Sequence, residues 1–502
     1  MKKISWEIRI LLVLVCIKAV VFYALQHSGI GLMPDEAQYW TWSKVLSYGY
    51  YSKPPGVAWQ IAVGTFFFGD TEFGVRLLAF FWSIALCFSI YFLAKRSGFE
   101  KKRAFWTSVA FAVTPISTVS TCLATTDCGF LTMSTFALGV VARPLLERKN
   151  VPLFTFALLI AIGALFKWTA FLFWLPLFFF IVIDSKQVGK AVLALLFSLI
   201  IGLLPSILWN IQHDWATFRH VFHSVSPDRG GAGGNPLEFL GAQFALVSPI
   251  FFFFMLAAWL SSISLIKKLP RSILLSYAVS FSLFLLVFIL SFFKRVQGNW
   301  AIAAYPTAFV FLFAWVAMKE KPFKKWLVFG GVLAAFLSAL IFLSPSFLPY
   351  KTNFCRQGLG WQGLEKGLRD AGYRPGKDFL FSDRYQTVSI LSFYGPEKKM
   401  AYFMNFHKIR KNQFSYWPQA KEQEKGKAGY YVTVIDGSTG VLQKALYMQR
   451  SMKGFLYDYF DDVSGPLMVI PLIQEHGQAV KVALVMRCIG YNGRMPEEVS
   501  KY

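Results

Sequence analysis

Acidic residues are scarce in this chain of 502 residues: 27 Asp and Glu stand against 51 Lys and Arg, a formal net charge of +24. Charged residues of both signs make up only 16%, where a soluble domain carries about 25%. An ordinary soluble fold is thereby excluded for most of the chain. The six cysteines are scattered and show none of the paired spacings that hold a structural metal. Cys355 and Cys488 fall in one C-terminal region; they either pair there, if that region is extracytoplasmic, or remain free thiols. A nucleotide-phosphate loop is also lacking. The Gly-rich stretch Arg229–Asn235 (RGGAGGN) has no Gly-Lys-Ser/Thr after it and no strand-to-helix context, so it reads as a flexible loop. Internal repeats and low-complexity segments are missing too. The first apolar segment has no small-residue cleavage site and more apolar segments follow at once, which predicts a retained span rather than a signal peptide.

What is plentiful is apolar and aromatic. Hydrophobic residues make up 55% of the chain, with 53 Phe and 16 Trp, and they come in blocks. A run of about 20 such residues crosses a bilayer as a helix. The blocks predict spans near 8–28, 73–94, 104–122, 128–143, 151–166, 168–183, 190–209, 241–266, 272–292, 300–317 and 326–344. The positive charge is distributed between these blocks in short clusters, which argues against a nucleic-acid surface. Lys2 and Lys3, then Lys95–Arg103, Arg143–Lys149, Lys186 with Lys190, Lys267–Arg271, and Lys319–Lys325 fall on alternate connectors. The positive-inside rule places that side in the cytoplasm, with the N-terminus. Loops 29–72 and 210–240 and everything after about residue 345 fall on the opposite side.

The predicted organisation is thus a polytopic α-helical membrane protein of about 11 to 13 spans, with a membrane part over 1–344 and a C-terminal soluble α/β domain over 345–502. In that domain Asp378–Ser382, Tyr430–Ile435 and Ala479–Cys488 read as strands and Arg384–Tyr394 as a helix.

The stretch Met33–Trp59 (MPDEAQYWTWSKVLSYGYYSKPPGVAW) concentrates the chemistry. Asp35 and Glu36 follow the first span directly, and Tyr39, Trp40 and Trp42 would anchor a short interfacial helix. Lys53 precedes Pro54-Pro55. A carboxylate can take a proton from an acceptor hydroxyl, and a cation can hold a departing phosphate. Acids flanking a span and a Pro-Pro loop also occur with no catalytic meaning. Three further placements favour chemistry. Asp127 lies in a short turn between two spans. Lys167 lies at the same level between two others, where a snorkelling lysine is the alternative. Lys294 and Arg295 form a basic pair against the positive-inside trend. Charges at the bilayer are costly and usually face a cavity. Lys18, inside the first span, is expected to snorkel and is left out of the site.

Asp35-Glu36-Ala37-Gln38-Tyr39-Trp40 with Lys53-Pro54-Pro55 resembles the bacterial branch of the GT-C glycosyltransferases, which includes the aminoarabinose transferases acting on lipid A and is related to the protein O-mannosyltransferases. The likeness continues through Glu72-Phe73-Gly74-Val75-Arg76-Leu77, Thr126-Asp127, Lys167-Trp168-Thr169-Ala170, Trp209-Asn210 with His213-Asp214-Trp215, Asn299-Trp300, and Asp383-Arg384-Tyr385-Gln386 with Phe393-Tyr394. It therefore runs to about residue 395. The resemblance implies a GT-C fold and an inverting transfer from a polyprenyl-phosphate-linked sugar, without a nucleotide sugar, to lipid A or another envelope glycolipid at the periplasmic face of the inner membrane. It implies Asp35 as general base or acceptor-positioning acid, Glu36 in support and Asp127 as a second acid. Lys53, Lys167, Lys294, Arg295, Tyr39 and Tyr385 would bind substrate. No organic cofactor is implied, and a divalent cation is left open. Where the aminoarabinose transferases have a Glu before the loop lysine, this chain has Ser52, which argues against that particular activity and against a metal ligand there. His220 and His223, three apart beside His213, are either a metal pair or surface histidines.

Two other classes fit parts of the pattern. A flippase for a lipid-linked sugar also has intramembrane charges, but commonly shows two related halves. A non-enzymatic envelope assembly or polymer-binding protein would tolerate joint changes at Asp35, Lys53 and Asp127.

Overall fold

A bilayer leaves a helix no water for its backbone, so apolar length and internal hydrogen bonding decide which blocks can span. The computed structural model describes residues 5–183, 185–225, 233–319, 323–436 and 441–498. Lys2, Lys3, Lys321 and residues 229–232 of the Gly-rich stretch lie outside them. Among the described residues seven helices are long and apolar enough to cross: Trp6–His27 (α1), Glu72–Arg96, Asp127–Glu147, Val188–Gln212, Arg271–Phe293, Gly298–Met318 and Phe323–Phe347.

Four of the expected spans differ. The block 104–122 is two helices, Lys101–Ala112 and Pro115–Cys122. Pro115 has no N–H for a continuing helix, and Thr114 turns to cap the second one, its hydroxyl accepting from Ser117 N at 3.3 Å. The block 241–266 is bent by 116° between Pro236–Val247 and Pro249–Ser261. Ser248 stands before Pro249, is pushed out of helical geometry, and adopts a φ of +96°. The blocks 151–166 and 168–183 form shorter apolar helices, Leu153–Ala164 and Trp168–Val182, on either side of Lys167. Loop 29–72 holds two helices rather than one: Pro34–Lys44 (α2) and the apolar Gly56–Phe68 (α3).

Lys18 does not snorkel. It is fully buried, and its ammonium donates to Ser117 Oγ at 2.8 Å, Ser117 O at 3.1 Å and Ala112 O at 3.4 Å. It therefore satisfies carbonyls freed by the break at Thr114-Pro115, where no water reaches.

The C-terminal α/β domain is built on strands Asp378–Ser382 (β1), Tyr402–Phe403 (β2), Ala428–Asp436 (β3), Phe460–Asp462 (β4), Met468–Glu475 (β5) and Gln478–Tyr491 (β6). They pair in the order β2-β1-β3-β6-β4, with β5 also on β6. β1 is parallel to β2 and β3, and β6 is antiparallel to β3, β4 and β5. A parallel pair needs a crossover, and the helix Tyr385–Tyr394 supplies it between β1 and β2. That helix packs on α2: Trp40 and Phe393 meet edge to face with ring centroids 5.0 Å apart. One hydrophobic cluster contains Tyr39, Trp40 and Trp42 together with Val388, Leu391, Phe393 and Tyr430, so the first loop and the α/β domain share a core. Cys355 and Cys488 are both free thiols, buried in different clusters.

Candidate active site

The two neighbouring acids of α2 have separate fates. Consecutive helical residues point about 100° apart. Glu36 turns inward and is fully buried. Arg76 grips it with two bonds, Nε to Oε1 at 2.9 Å and Nη2 to Oε2 at 2.7 Å. Ala124 N donates to Oε1 at 2.9 Å and Met33 N to Oε2 at 3.1 Å. With four donors on its two oxygens, Glu36 has no lone pair left for a substrate. Its expected place beside Asp35 in the chemistry is corrected to a structural one. It caps α2 and binds the 123–127 turn to the same point, while Arg76 also holds Gly31 O at 2.8 Å.

Asp35 points the other way and is accessible to solvent, yet protein surrounds it. Burial pushes its carboxyl above the ordinary aspartate value, and the charge of Lys53 only partly offsets this. Asp35 is thus reached by solvent while lying in the field of Lys53. Lys53 shows the mirror effect: burial and then the nearby charge of Lys167 push its ammonium down, against the pull of Asp127 and Asp35.

Gly56 fixes this convergence. Gly56 N donates to Leu165 O at 2.8 Å, and a Cβ on Gly56 would stand 2.7 Å from that same oxygen. Only glycine lets the Lys53-Pro54-Pro55 turn approach the Lys167 turn so closely. Lys167 in turn meets Asp127 across 2.7 Å, with Asp127 almost sealed and Lys167 a quarter exposed. Asp127 opens the helix Asp127–Glu147, whose N-terminal dipole favours a negative group. Tyr39 is buried beside this set; burial and the charges of Asp35 and Asp127 hold its phenol well above the ordinary value. Tyr385, carried by the α/β domain, lies within the field of Asp35, and burial raises its phenol.

The structure thus brings together Asp35, Tyr39, Lys53, Asp127, Lys167 and Tyr385. It does not bring in Lys294 and Arg295. Arg295 is largely exposed and pairs with Glu238 at 2.9 Å. Lys294 lies over the Trp300 ring, 5.3 Å from its centroid. Each thus has a local partner outside the Asp35 set. Among the described residues no three His, Cys, Asp or Glu side chains group to hold a metal ion. His213 stacks on Trp209 at 4.0 Å, and His220 meets Arg410 of the α/β domain at 2.9 Å. Residues missed from sequence are Arg76, Arg410 and the pair Tyr394–Glu72. An arginine inside an apolar block was a usable signal for Arg76, and Glu72, Arg76 and Tyr394 lay in stretches that carry the resemblance; Arg410 carried none.

Residues 52–209 match the family described as dolichyl-phosphate-mannose-protein mannosyltransferase. Over 369 residues the chain is 29% identical to the lipid A galacturonosyltransferase RgtD of Rhizobium johnstonii, a match covering 71% of this chain and 76% of that protein. The crystal structure of ArnT from Cupriavidus metallidurans bound to undecaprenyl phosphate superposes with a TM-score of 0.63 at 12% identity, over 94% of this chain and 97% of the other. The apo form gives 0.61 at 13% identity, over the same shares. The fold is that of a GT-C protein: a polytopic helical membrane part with a strand-bearing C-terminal domain. Within that class the chain is similar to RgtD and ArnT.

Proposed function

We propose that the chain transfers a sugar from a polyprenyl-phosphate-linked donor to lipid A or another envelope glycolipid, at the periplasmic face of the bacterial inner membrane. The observation that carries this reading is the cluster of charges held together by the Gly56–Leu165 contact, in which Asp35 and Lys53 lie in one another's field and Lys167 pairs with Asp127 at 2.7 Å. The names of the relatives supply the substrate classes. RgtD is a lipid A galacturonosyltransferase, and ArnT binds undecaprenyl phosphate.

In the step we infer, the acceptor oxygen attacks the anomeric carbon from the face opposite the phosphate. The carbon–oxygen bond to the phosphate breaks, and polyprenyl phosphate departs with the bonding pair. Inversion follows from that single displacement. Asp35 removes the proton of an acceptor hydroxyl as the new bond forms, and its raised pKa suits a base at neutral pH. Should the acceptor be a phosphate, already ionised, Asp35 orients it and the cations carry more of the effect. Lys53 and Lys167 meet the charge growing on the leaving phosphate in a site of low dielectric, where such contacts are strongest. Asp127 holds Lys167 in place. A small apolar crevice lined by Leu25, Ile30, Met33, Leu123, Phe342 and Cys355 adjoins the start of α2.

The test is transfer of label from a polyprenyl-phosphate sugar pool to extracted envelope lipids, by membranes holding the native chain or Asp35→Asn at equal expression. Label should move with the native chain and fall at least about a hundredfold with Asn. Equal transfer by both would remove Asp35 from the mechanism. Translocation of intact lipid-linked sugar without transfer would return the flippase reading.

A further inference from the structure

The α/β domain directs one charged loop at the membrane part, and the transfer step above does not use it. Residues 405–411 (Asn405-Phe406-His407-Lys408-Ile409-Arg410-Lys411) contain three cations beside His407 and no acid. The loop is held from within. The Asn405 side chain donates to Ile409 O at 2.8 Å and accepts from Ile409 N at 2.9 Å. His407 Nε2 lies 3.1 Å from Asp383 Oδ2, at the end of β1.

Arg410 is half-buried at the point where three segments meet. Its Nη1 stands 2.9 Å from His220 Nδ1 on the helix Ala216–Val225. His220 packs on the Tyr51 ring at 4.8 Å, two residues before Lys53. Tyr51 N donates to Gln413 Oε1 at 2.7 Å, which ties the same strip of loop to the α/β domain. Tyr385, already in the field of Asp35, is the other neighbour of Arg410.

Arg410 Nη1 lies 2.9 Å from His220 Nδ1 and 3.4 Å from Nε2, so the guanidinium sits against the imidazole ring rather than on a carboxylate. Among the described residues Arg410 forms no ion pair; its partners are an imidazole and a phenol. A contact meant only to dock the domain would gain more from a carboxylate, as Arg374 does with Asp378 at 3.0 Å. A half-buried guanidinium without an anionic partner keeps its charge and most of its planar fork for an oxyanion.

We propose that Arg410 is a substrate-binding residue that reads an oxyanion of the substrate, on the α/β-domain side of the Asp35–Lys53 cluster. This rests on the transferase reading. The oxyanion is a phosphate of the glycolipid acceptor or the carboxylate of a uronic sugar on the donor; both present the flat pair of acceptor oxygens that the fork matches.

The experiment uses the full chain in detergent, as native protein, Arg410→Gln and Arg410→Lys. Binding of bis-phosphorylated lipid A and of its phosphatase-treated form is measured without donor. Transfer is measured from a polyprenyl-phosphate-linked uronic acid and from the matching neutral hexose. Gln should raise Kd or KM about tenfold for the partner bearing the oxyanion and leave its neutral counterpart unchanged. kcat should stay within about threefold, and Lys should recover part of the loss. Selective loss on phosphorylated lipid A assigns the acceptor phosphate; selective loss on the uronic donor assigns the sugar carboxylate. Equal loss on charged and neutral partners, or no loss, overturns the proposal and leaves Arg410 a docking contact. Absence of transfer by the native chain would count against the proposed function. Binding then decides alone, measured for phosphorylated lipid A and for the polyprenyl-phosphate-linked uronic acid against the matching hexose, and equal binding of both charged partners by native and Gln proteins would overturn the role of Arg410.

Discussion

Asp35 and Glu36 are adjacent in the chain and opposite in environment: one carboxylate is reached by solvent, and the other is sealed against Arg76 with all its bonds made. The two should therefore fail differently. Glu36→Gln leaves the Arg76 guanidinium buried without its counter-charge, a loss of about 3 to 5 kcal/mol where such pairs are broken. It should appear as a lower Tm and less folded protein in the membrane. Asp35→Asn should keep the Tm and lose at least about a hundredfold in transfer. Thermal unfolding and label transfer on both variants check this, and equal Tm values for the two would contradict it.

The pH profile should be narrowed from both ends. Asp35 acts as a base only when ionised, and burial raises its pKa, so the acid limb of kcat/KM should lie above the ordinary aspartate value of 3.8. Lys53 holds phosphate only when charged; burial and Lys167 lower its pKa, so the alkaline limb should lie below 10.5. For stability the sign of the Asp35 effect is reversed. A raised carboxylate favours the protonated fold, so its contribution is complete below 3.8 and lost as pH rises through the raised value. Asp35→Asn should remove the acid limb, and Lys53→Arg should move the alkaline limb upward. Profiles recorded on these variants decide it.

Asp127 and Lys167 should behave as one unit. Their 2.7 Å ion pair means that removing either leaves the other unbalanced beside Lys53. Asp127→Asn and Lys167→Met should each lower kcat/KM by about tenfold or more, and the double variant should lose far less than the product. A double-mutant cycle measures the coupling, and strict additivity would separate the two residues.

Tyr394 joins the α/β domain to the first loop with two short bonds: its hydroxyl donates to Glu72 Oε1 at 2.6 Å and accepts from Leu32 N at 2.6 Å. Tyr394→Phe should cost about 1 to 3 kcal/mol, because a buried N–H is left without a partner. Limited proteolysis after the last span, with Tm, reports the loosening.

Much of the site was legible because charge at a bilayer is rare and expensive: Asp35, Lys53, Asp127 and Lys167 stood out against apolar neighbours. Their convergence was not, since it depends on Gly56 meeting Leu165 at a distance no spacing rule contains. Glu36 and Asp35 look alike in sequence, and only helix phase and the distant Arg76 divide them. The local partners of Lys294 and Arg295, Trp300 and Glu238, were not legible in the sequence. In the fold, apolar content located the spans, while Pro115 and Pro249 bent two of them inside otherwise unbroken blocks. β1, β3 and β6 were visible as buried runs. β5 was not, because its partly exposed residues give no clean alternation.

The edge-to-face contact of Trp40 with Phe393, and the cluster around it, makes the two halves of the chain hard to exchange separately. A graft that swapped the last third of this protein for that of a cousin would leave half an aromatic socket on each side of the join. A chimera is therefore expected to keep its fold only when the 33–59 stretch and the Tyr385–Tyr394 helix are exchanged together.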